Sequence, residues 1–328
     1  MSELWYWLVA LMLTAWAVLD GFDFGAGILH RVVARTDSER QQVLGAIKPV
    51  FDGNEVWLIA AGGALYFAFP KLMAAAFSGF YLPMIFVVWA LLMRGASLEL
   101  RSHLEGPLWR SFFDTLFVLS SFAVPFLMGV LLGNLVRGVP LRPDGTFELG
   151  LFGSEGGLGV LDAYSFTCGM LTLMIIAAHG ANWLVWKTEG VVNERARELR
   201  VQLWAAAAAI WIVTMFFTWR VAPEAINARS IAGFVVALVG LGVIFLRRSE
   251  ELTPFLGGAT FIVACLVMIA ASLFPTVLRA NDPALSLTVS NSATGSGAMR
   301  GALAWVFPGL VLAAGYLWWV LRHFREKV

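Results

Sequence analysis

The chain has 328 residues, of which 59% are hydrophobic and only 14% are charged, and its mean hydropathy is +0.77. A soluble domain carries about 25% charged residues, so this composition excludes an ordinary soluble fold and indicates an integral membrane protein. The net charge of +1 excludes the strongly basic surface by which many proteins bind nucleic acid.

Nine apolar segments approach the length of about 20 residues that a helix needs to cross a bilayer. Their predicted bounds are Leu4–Leu29, Gly53–Phe69, Ala75–Met93, Phe112–Leu135, Gly157–Trp186, Leu203–Trp219, Ile231–Phe245, Pro254–Phe274 and Ala302–Leu321. The first has no positively charged start and no small-residue cleavage site, so we expect a retained helix rather than a signal peptide. We expect an all-α integral membrane protein with about nine transmembrane helices, forming a single transmembrane domain over residues 1–328.

The orientation follows from the lysines and arginines, which concentrate in cytoplasmic connections. The chain has 23 of them, and sixteen lie in one alternating set of connections. The other set holds the remaining seven, which are Lys71, Arg137, Arg142, Arg220, Arg229, Arg279 and Arg300. We therefore expect the N-terminus outside and the C-terminus in the cytoplasm, which requires an odd number of spans.

Two carboxylates, Asp20 and Asp23, lie inside the first apolar segment. Ionisable groups at membrane depth are costly, and by default they indicate a functional site. The two residues are three apart and share a helix face, and nearby glycines would let a neighbouring helix or water approach. Two interpretations stay open: a proton-relay element, or structural carboxylates that tie helices together.

The second segment opens at Asp52, in the sequence DGNEVW. Asp52 would lie on the cytoplasmic side, the side from which Asp23 is reached, and carboxylates leading inward from the cytoplasm suit proton uptake. Alternatively, Asp52 is an N-cap with Glu55 as its capping-box partner, and for Glu55 we favour the cap. Trp57 is either functional or an aromatic anchor at the membrane interface.

The four histidines and two cysteines predict no cofactor site in this chain. Only His179 lies well within a segment, so no second histidine at matched depth is present to hold a haem, and we expect a structural hydrogen-bonding role. Cys168 and Cys265 lie in apolar runs without metal-ligand spacing and read as buried hydrophobes. Because the chain has so few possible cofactor ligands, we expect it either to act together with a partner chain or to be a transporter.

Several motifs together resemble subunit II of the cytochrome bd quinol oxidases. They are LDGFDFGAG (Leu19–Gly27), DGNEVWL (Asp52–Leu58), GGAL (Gly62–Leu65), AFSGFY (Ala76–Tyr81), the stretch Phe112–Asn134, GANWLVWKTEG (Gly180–Gly190), Phe274–Pro275 and SLTVSNSA (Ser286–Ala293). The resemblance covers nearly the whole chain in order and is most specific in its N-terminal third.

The resemblance implies two four-helix bundles plus one peripheral helix. It implies a homologous partner, subunit I, which holds the b-type and d-type haems and oxidises quinol, while this chain holds no cofactor or metal. Very small single-helix subunits, membrane lipid and quinone are further expected partners. The complex would reduce oxygen to water in the bacterial plasma (inner) membrane, as part of aerobic respiration, with cytoplasmic protons and without proton pumping.

The resemblance also implies roles for individual residues. With Asp114 added because it opens the fourth segment, the predicted proton path consists of Asp52, Asp20, Asp23, Glu99, Arg94 and Asp114. The family more often has Asp where this chain has Glu99. Arg94 could pair with an inward-facing carboxylate, or it is a positive-inside anchor. For Glu99 and Asp114, a solvated charge remains the alternative. Trp57 matches an aromatic near the family's oxygen-access channel.

Our hypothesis is therefore a non-haem subunit of a terminal quinol oxidase, an oxidoreductase complex in which this chain alone is not catalytic. One alternative is a proton-coupled secondary transporter, which would show helices broken at the midplane and inverted repeats. The other is a purely structural membrane subunit without a proton path of its own.

Overall fold

The computed structural model describes residues 1–153, 159–324 and 326–328, and within them the chain is almost entirely helical. The α-helices are α1 (Ser2–Val33), α2 (Asp37–Ile47), α3 (Phe51–Ala68), α4 (Pro70–Gly79), α5 (Tyr81–Leu100), α6 (Pro107–Arg137), α7 (Ala163–Lys187), α8 (Gly190–Val221), α9 (Ala228–Leu246), α10 (Leu252–Leu273) and α11 (Ser296–His323). A two-stranded antiparallel ribbon, β1 (Thr276–Leu278) and β2 (Leu287–Thr288), precedes α11.

Eight of these helices are each long and apolar enough to cross a membrane, and a ninth span arises if the bent pair α3 and α4 counts as one. The axes of α3 and α4 differ by 113°. Proline at the first position of a helix is favourable because it has no N–H to lose, and Pro70 begins α4 in this way. The all-α architecture with about nine spans is thus confirmed for the described residues.

Several predicted bounds were wrong. The third segment was expected to begin at Ala75, but residues 75–79 belong to α4, and the spanning helix α5 starts at Tyr81. The short helix α2 was not predicted, because its many polar residues keep its mean hydropathy below that of a membrane span. α8 begins at Gly190, well before the expected Leu203. The expected start of the fifth segment, Gly157, lies outside the described residues.

The helices pack as two groups of four. α1, α3, α5 and α6 form the first group and α7–α10 the second, with α7 packed against α1 and α6 where the groups meet. α11 lies at the side, mainly against α3 and α1. This arrangement agrees with the expected pair of four-helix bundles and one peripheral helix. We call the end of the molecule that contains α2, where α1 and α5 terminate and α3 and α6 begin, the α2 end.

The two groups approach closely where Gly25 of α1 faces Gly180 of α7. A β-carbon built on either glycine would overlap the backbone of the other helix. Gly25 follows Asp23 by two residues, so this crossing fixes the depth and rotation of the acidic segment of α1. Small residues serve the same purpose in many membrane helix pairs, where backbones must pass close together.

Gly180→Ala should therefore destabilise the protein, by about 1–3 kcal/mol or more, because the added methyl group forces α1 and α7 apart. The measurement is the thermal melting temperature of the purified protein in detergent. Gly242→Ala in α9 is the matched control, since a β-carbon there meets nothing within 4 Å. Equal melting temperatures for the two variants would contradict the assigned packing.

Candidate functional site

A buried polar cluster lies where α1, α3 and α5 meet. Asp20 and Asp23 of α1, Asn54 of α3 and Arg94 of α5 are each 0% exposed. The three-residue spacing of the two aspartates puts them on one face of α1, as predicted, and that face is directed at the other two helices. Asp23 lies ten residues before the end of α1, about 15 Å along the helix axis.

Asp20 is held through both of its carboxylate oxygens. Arg94 donates from Nη2 to Oδ1, and the indole Nε1 of Trp16 donates to Oδ2 over 2.8 Å. The guanidinium of Arg94 also lies 3.7 Å from the centre of the Phe24 ring and 4.5 Å from that of Phe51. Both oxygens of Asp20 thus accept hydrogen bonds, and the guanidinium of Arg94 packs against two aromatic faces.

Asp23 has a different environment. Its Oδ2 accepts one hydrogen bond, of 2.8 Å, from Asn54 Nδ2, which also donates to the carbonyl of Leu19 at 3.1 Å. Its Oδ1 is buried and has no hydrogen-bond partner among the residues that the structure describes. A proton can therefore bind to Oδ1 without breaking an existing bond, whereas a proton on Asp20 would displace a donor. Of the two aspartates, Asp23 is the one whose surroundings accept a proton.

The capping role that was one alternative for Asp52, and the favoured one for Glu55, is wrong. α3 begins at Phe51 with Val50 as its N-cap, and no side chain caps it. The helix thus starts two residues too early for Asp52 to be the N-cap. Asp52 is exposed, while the Glu55 carboxylate is 30% exposed and lies 3.7 Å from Arg94 Nη2.

Asp114 belongs to a second buried cluster at the α2 end. Its carboxylate accepts from Arg101 Nε at 2.6 Å and from Arg40 Nη1 at 3.3 Å, and it lies 2.8 Å from His30 Nε2. Burial favours the neutral form of Arg101, but hydrogen bonds to Asp114 and Asp37 outweigh it and raise the pKa of Arg101 above its ordinary value. These bonds suit an anchor that ties α1, α2, α5 and α6 together.

The remaining predicted residues, Glu99 and Trp57, differ in their exposure. The Glu99 side chain is 67% exposed near the end of α5, with Oε2 3.6 Å from Lys48 Nζ. Trp57 is 8% exposed and packs in the apolar core, so the interpretation of Trp57 as an anchor at the membrane surface does not fit its burial.

The two buried histidines are engaged in packing. His179 bonds through Nε2 to the carbonyl of Val18 at 3.0 Å and stacks on Phe255, which confirms the structural role expected for it. His30 faces Asp114. Within residues 1–153, 159–324 and 326–328, no three His, Cys, Asp or Glu side chains are grouped to hold a metal ion.

Sequence reasoning missed several partners of the acidic residues, among them Trp16, Asn54 and His30. Trp16 and Asn54 bond to Asp20 and Asp23, and His30 bonds to Asp114. The only sequence signals were weak: Trp16 lies one helical turn before Asp20, and Asn54 is a polar residue beside Asp52 in an apolar run. Arg94, by contrast, was correctly expected to be able to pair with an inward-facing carboxylate.

The chain is similar to known proteins along most of its length. A family profile described as cytochrome bd terminal oxidase subunit II matches residues 1–324. The cytochrome bd-I ubiquinol oxidase subunit 2 of Escherichia coli (strain K12) is 38% identical over 216 residues, which are 64% of this chain and 56% of that protein. The match thus spans little more than half of the Escherichia coli subunit.

Two further matches extend over the full length. The cytochrome bd ubiquinol oxidase subunit 2 of Bacillus subtilis (strain 168) is 28% identical over 333 residues, covering 100% of this chain and 97% of that protein. The structure of the bd oxidase from Geobacillus thermodenitrificans contains a chain that superposes with a TM-score of 0.73 and 17% identity, over 98% of both chains. At that identity the superposition shows the fold alone. Because the family profile covers nearly all of its residues, the chain belongs to the cytochrome bd terminal oxidase subunit II family.

Proposed function

We propose that this chain is the non-haem subunit of a quinol-driven terminal oxidase in the bacterial plasma membrane. It supports a haem-bearing subunit I, where haems b and d and the quinol react, and it supplies part of the path by which cytoplasmic protons reach the oxygen chemistry. The chain alone is not catalytic, and the complex transfers electrons without pumping protons. Family membership supports this assignment, as does the placement of carboxylates along α1 and α3.

The main support for a proton path is the presence of two aspartates, side by side at membrane depth on α1, that differ in their hydrogen bonding. Asp20 is saturated with donors, whereas Asp23 keeps one buried oxygen without a partner. A purely structural carboxylate would be expected to use both oxygens, because an unsatisfied buried acceptor costs about 1–3 kcal/mol. An oxygen left free in this way is suited to binding and releasing a proton.

The other predicted residues fit different parts of this proposal. Asp52 is exposed at the start of α3 and would receive protons at the α2 end, which we expect to face the cytoplasm. The solvent-exposed Glu99, 3.6 Å from Lys48 Nζ, would be a further carboxylate open to cytoplasmic protons at the α2 end. Arg94 would hold Asp20 in its charged form, and Asp114 would anchor the helices around the path. If Trp57 takes part in oxygen access, the oxygen path would have to cross the apolar core in which Trp57 is buried.

The exposed face of α3 is the surface we expect subunit I to cover. Five exposed positions repeat at spacings of four and three residues, the pattern of a helix seam that meets another helix: Asp52, Val56, Ile59, Gly63 and Tyr66. On the neighbouring α5, Phe86, Trp89 and Leu92 are 56–61% exposed. Asp52 at one end of this stripe would then deliver protons at the boundary with the partner.

Asp52→Asn should slow oxygen consumption of the complex about tenfold or more, since it removes a proton acceptor without removing volume. The measurement is quinol-driven oxygen uptake by the purified complex, normalised to its haem content. Glu198→Gln is the matched control, because Glu198 is an exposed carboxylate on α8, away from the acidic clusters. The control should retain full activity.

Two results would overturn the proposal. If Asp52→Asn prevents recovery of a complex with subunit I, Asp52 serves assembly rather than proton transfer. If the chain purifies without a haem-containing partner and carries a solute across vesicle membranes, the oxidase assignment fails. The optical spectrum of the purified complex separates these cases, because the haems absorb visible light and this chain does not.

A further inference from the structure

We propose that Glu55 is a proton-carrying residue, the link between exposed Asp52 and the buried pair Asp20 and Asp23. The proposal rests on the proposed function and adds a carboxylate that the sequence assigned to helix capping. Its basis is the position of Glu55 on α3, its contact with Arg94, and the excess of acids over bases in the cluster.

The first turn of α3 leads from the surface to the cluster interior. With 3.6 residues per turn, Glu55 lies about 60° around the helix axis from Asp52, and Asn54 lies about 100° further in the same direction. The exposure follows this order: Asp52 is exposed, Glu55 is partly exposed, and Asn54 is buried against Asp23. Glu55 is thus the carboxylate between solvent and the hydrogen bond that ends at Asp23.

Glu55 is close enough to charges on both sides of this route to feel them. Its carboxylate repels the negative charges of Asp52 on the surface side and of Asp20 and Asp23 on the inner side. Arg94 Nη2 is shared: it bonds to Asp20 and lies 3.7 Å from Glu55 Oε1. Arg94 Nε and Nη1 have no hydrogen-bond partner, so the guanidinium keeps donors free for a second carboxylate.

Charge counting then requires a bound proton. Three carboxylates, on Asp20, Asp23 and Glu55, surround the single guanidinium of Arg94. Two uncompensated negative charges at this depth would be very costly. With Asp20 ionised against Arg94 and Trp16, the proton is held by Asp23 or Glu55, the two groups that have an oxygen without a strong donor. A proton shared between two such neighbours is a transferable one.

The transfer step is a proton exchange with no change in electron count. The O–H bond of a protonated Glu55 carboxyl breaks, and an O–H bond forms at the unpartnered Oδ1 of Asp23. The Glu55 carboxylate that results is stabilised by Arg94. Asp23 then passes its proton onward toward the partner subunit, and a proton arriving from Asp52 restores the Glu55 carboxyl, so that the cluster returns to its starting charge.

The test compares Glu55→Gln with Glu55→Asp in the purified complex. Glutamine keeps the size of the side chain but cannot carry the proton, so oxygen consumption per haem should fall about tenfold or more. Aspartate keeps a carboxyl and should recover a substantial part of the rate. The pH profile of the rate should also lose one titration in Glu55→Gln but not in the Glu198→Gln control. Infrared difference spectra with and without quinol provide a second readout, because a protonated Glu55 carboxyl contributes a band that the glutamine variant lacks.

The outcomes separate this proposal from the proposed function. If Asp52→Asn slows the complex but Glu55→Gln retains the full rate and pH profile, Glu55 is not a link and the subunit assignment stands. If Glu55→Gln only lowers haem content, with full activity per haem, Glu55 is structural. If neither Asp52→Asn nor Glu55→Gln changes the rate per haem, the proton path itself is absent from this chain.

Discussion

Asp23→Asn should slow oxygen consumption by about tenfold to a hundredfold, while the complex assembles with normal haem content. Asparagine has the same shape and keeps an oxygen that accepts the 2.8 Å hydrogen bond from Asn54. It cannot bind and release a proton, however, and a positioned proton-transfer group typically contributes a factor of 10²–10⁴. The measurement is oxygen uptake per haem, together with the pH dependence of the rate.

The second aspartate of the cluster provides the contrast. Asp20→Asn leaves the buried guanidinium of Arg94 without its closest counter-ion, so we expect lower stability and less assembled complex rather than slow turnover. If instead Asp23→Asn turns over normally and Asp20→Asn assembles but turns over slowly, the two carboxylates have the opposite tasks from those assigned here.

Arg94→Gln should strongly reduce the amount of assembled protein. Arg94 is 0% exposed and pairs with Asp20, which is also 0% exposed. Breaking a buried ion pair by removing one partner typically costs about 3–5 kcal/mol, because the other charge is left without compensation. The measurement is the yield of the complex after membrane extraction and its thermal melting temperature.

A paired variant keeps this prediction testable even if the single variant fails to assemble. Asp20→Asn combined with Arg94→Gln removes both charges, and two neutral amides can bond to each other. Replacing a buried ion pair as a unit is often close to neutral, so the double variant should recover much of the lost yield. A double variant as poorly assembled as Arg94→Gln would show that the pair does more than balance charge.

The apolar segments predicted most of the fold because a membrane span must satisfy its backbone hydrogen bonds within itself, which leaves a helix as the only simple choice. Hydropathy did not separate α4 from α5, since both sides of the break at Phe80 are apolar. It also did not detect α2, whose capping box at Thr36 and Glu39 is a local signal inside a polar connection.

The site was only partly accessible from the sequence. The three-residue spacing placed Asp20 and Asp23 on one face, which the structure shows, but nothing in the spacing indicates that one is saturated with donors and the other is not. That difference depends on Trp16, Asn54 and Arg94, which three separate helices bring together. The position of Glu55 was misjudged because its three-residue spacing from Asp52 fits both a capping box and a carboxylate that faces the protein interior. Only the observed start of α3 at Phe51 distinguishes the two.

Proton uptake during turnover tests the central claim most directly. The complex would be reconstituted in vesicles with a pH indicator on the side of the α2 end, and uptake would be followed in wild type, Asp52→Asn and Glu198→Gln as quinol is supplied. We predict that Asp52→Asn slows proton uptake and oxygen consumption by the same factor, while Glu198→Gln matches wild type. Uptake at the wild-type rate in Asp52→Asn, with normal oxygen consumption, would contradict a proton path through this subunit.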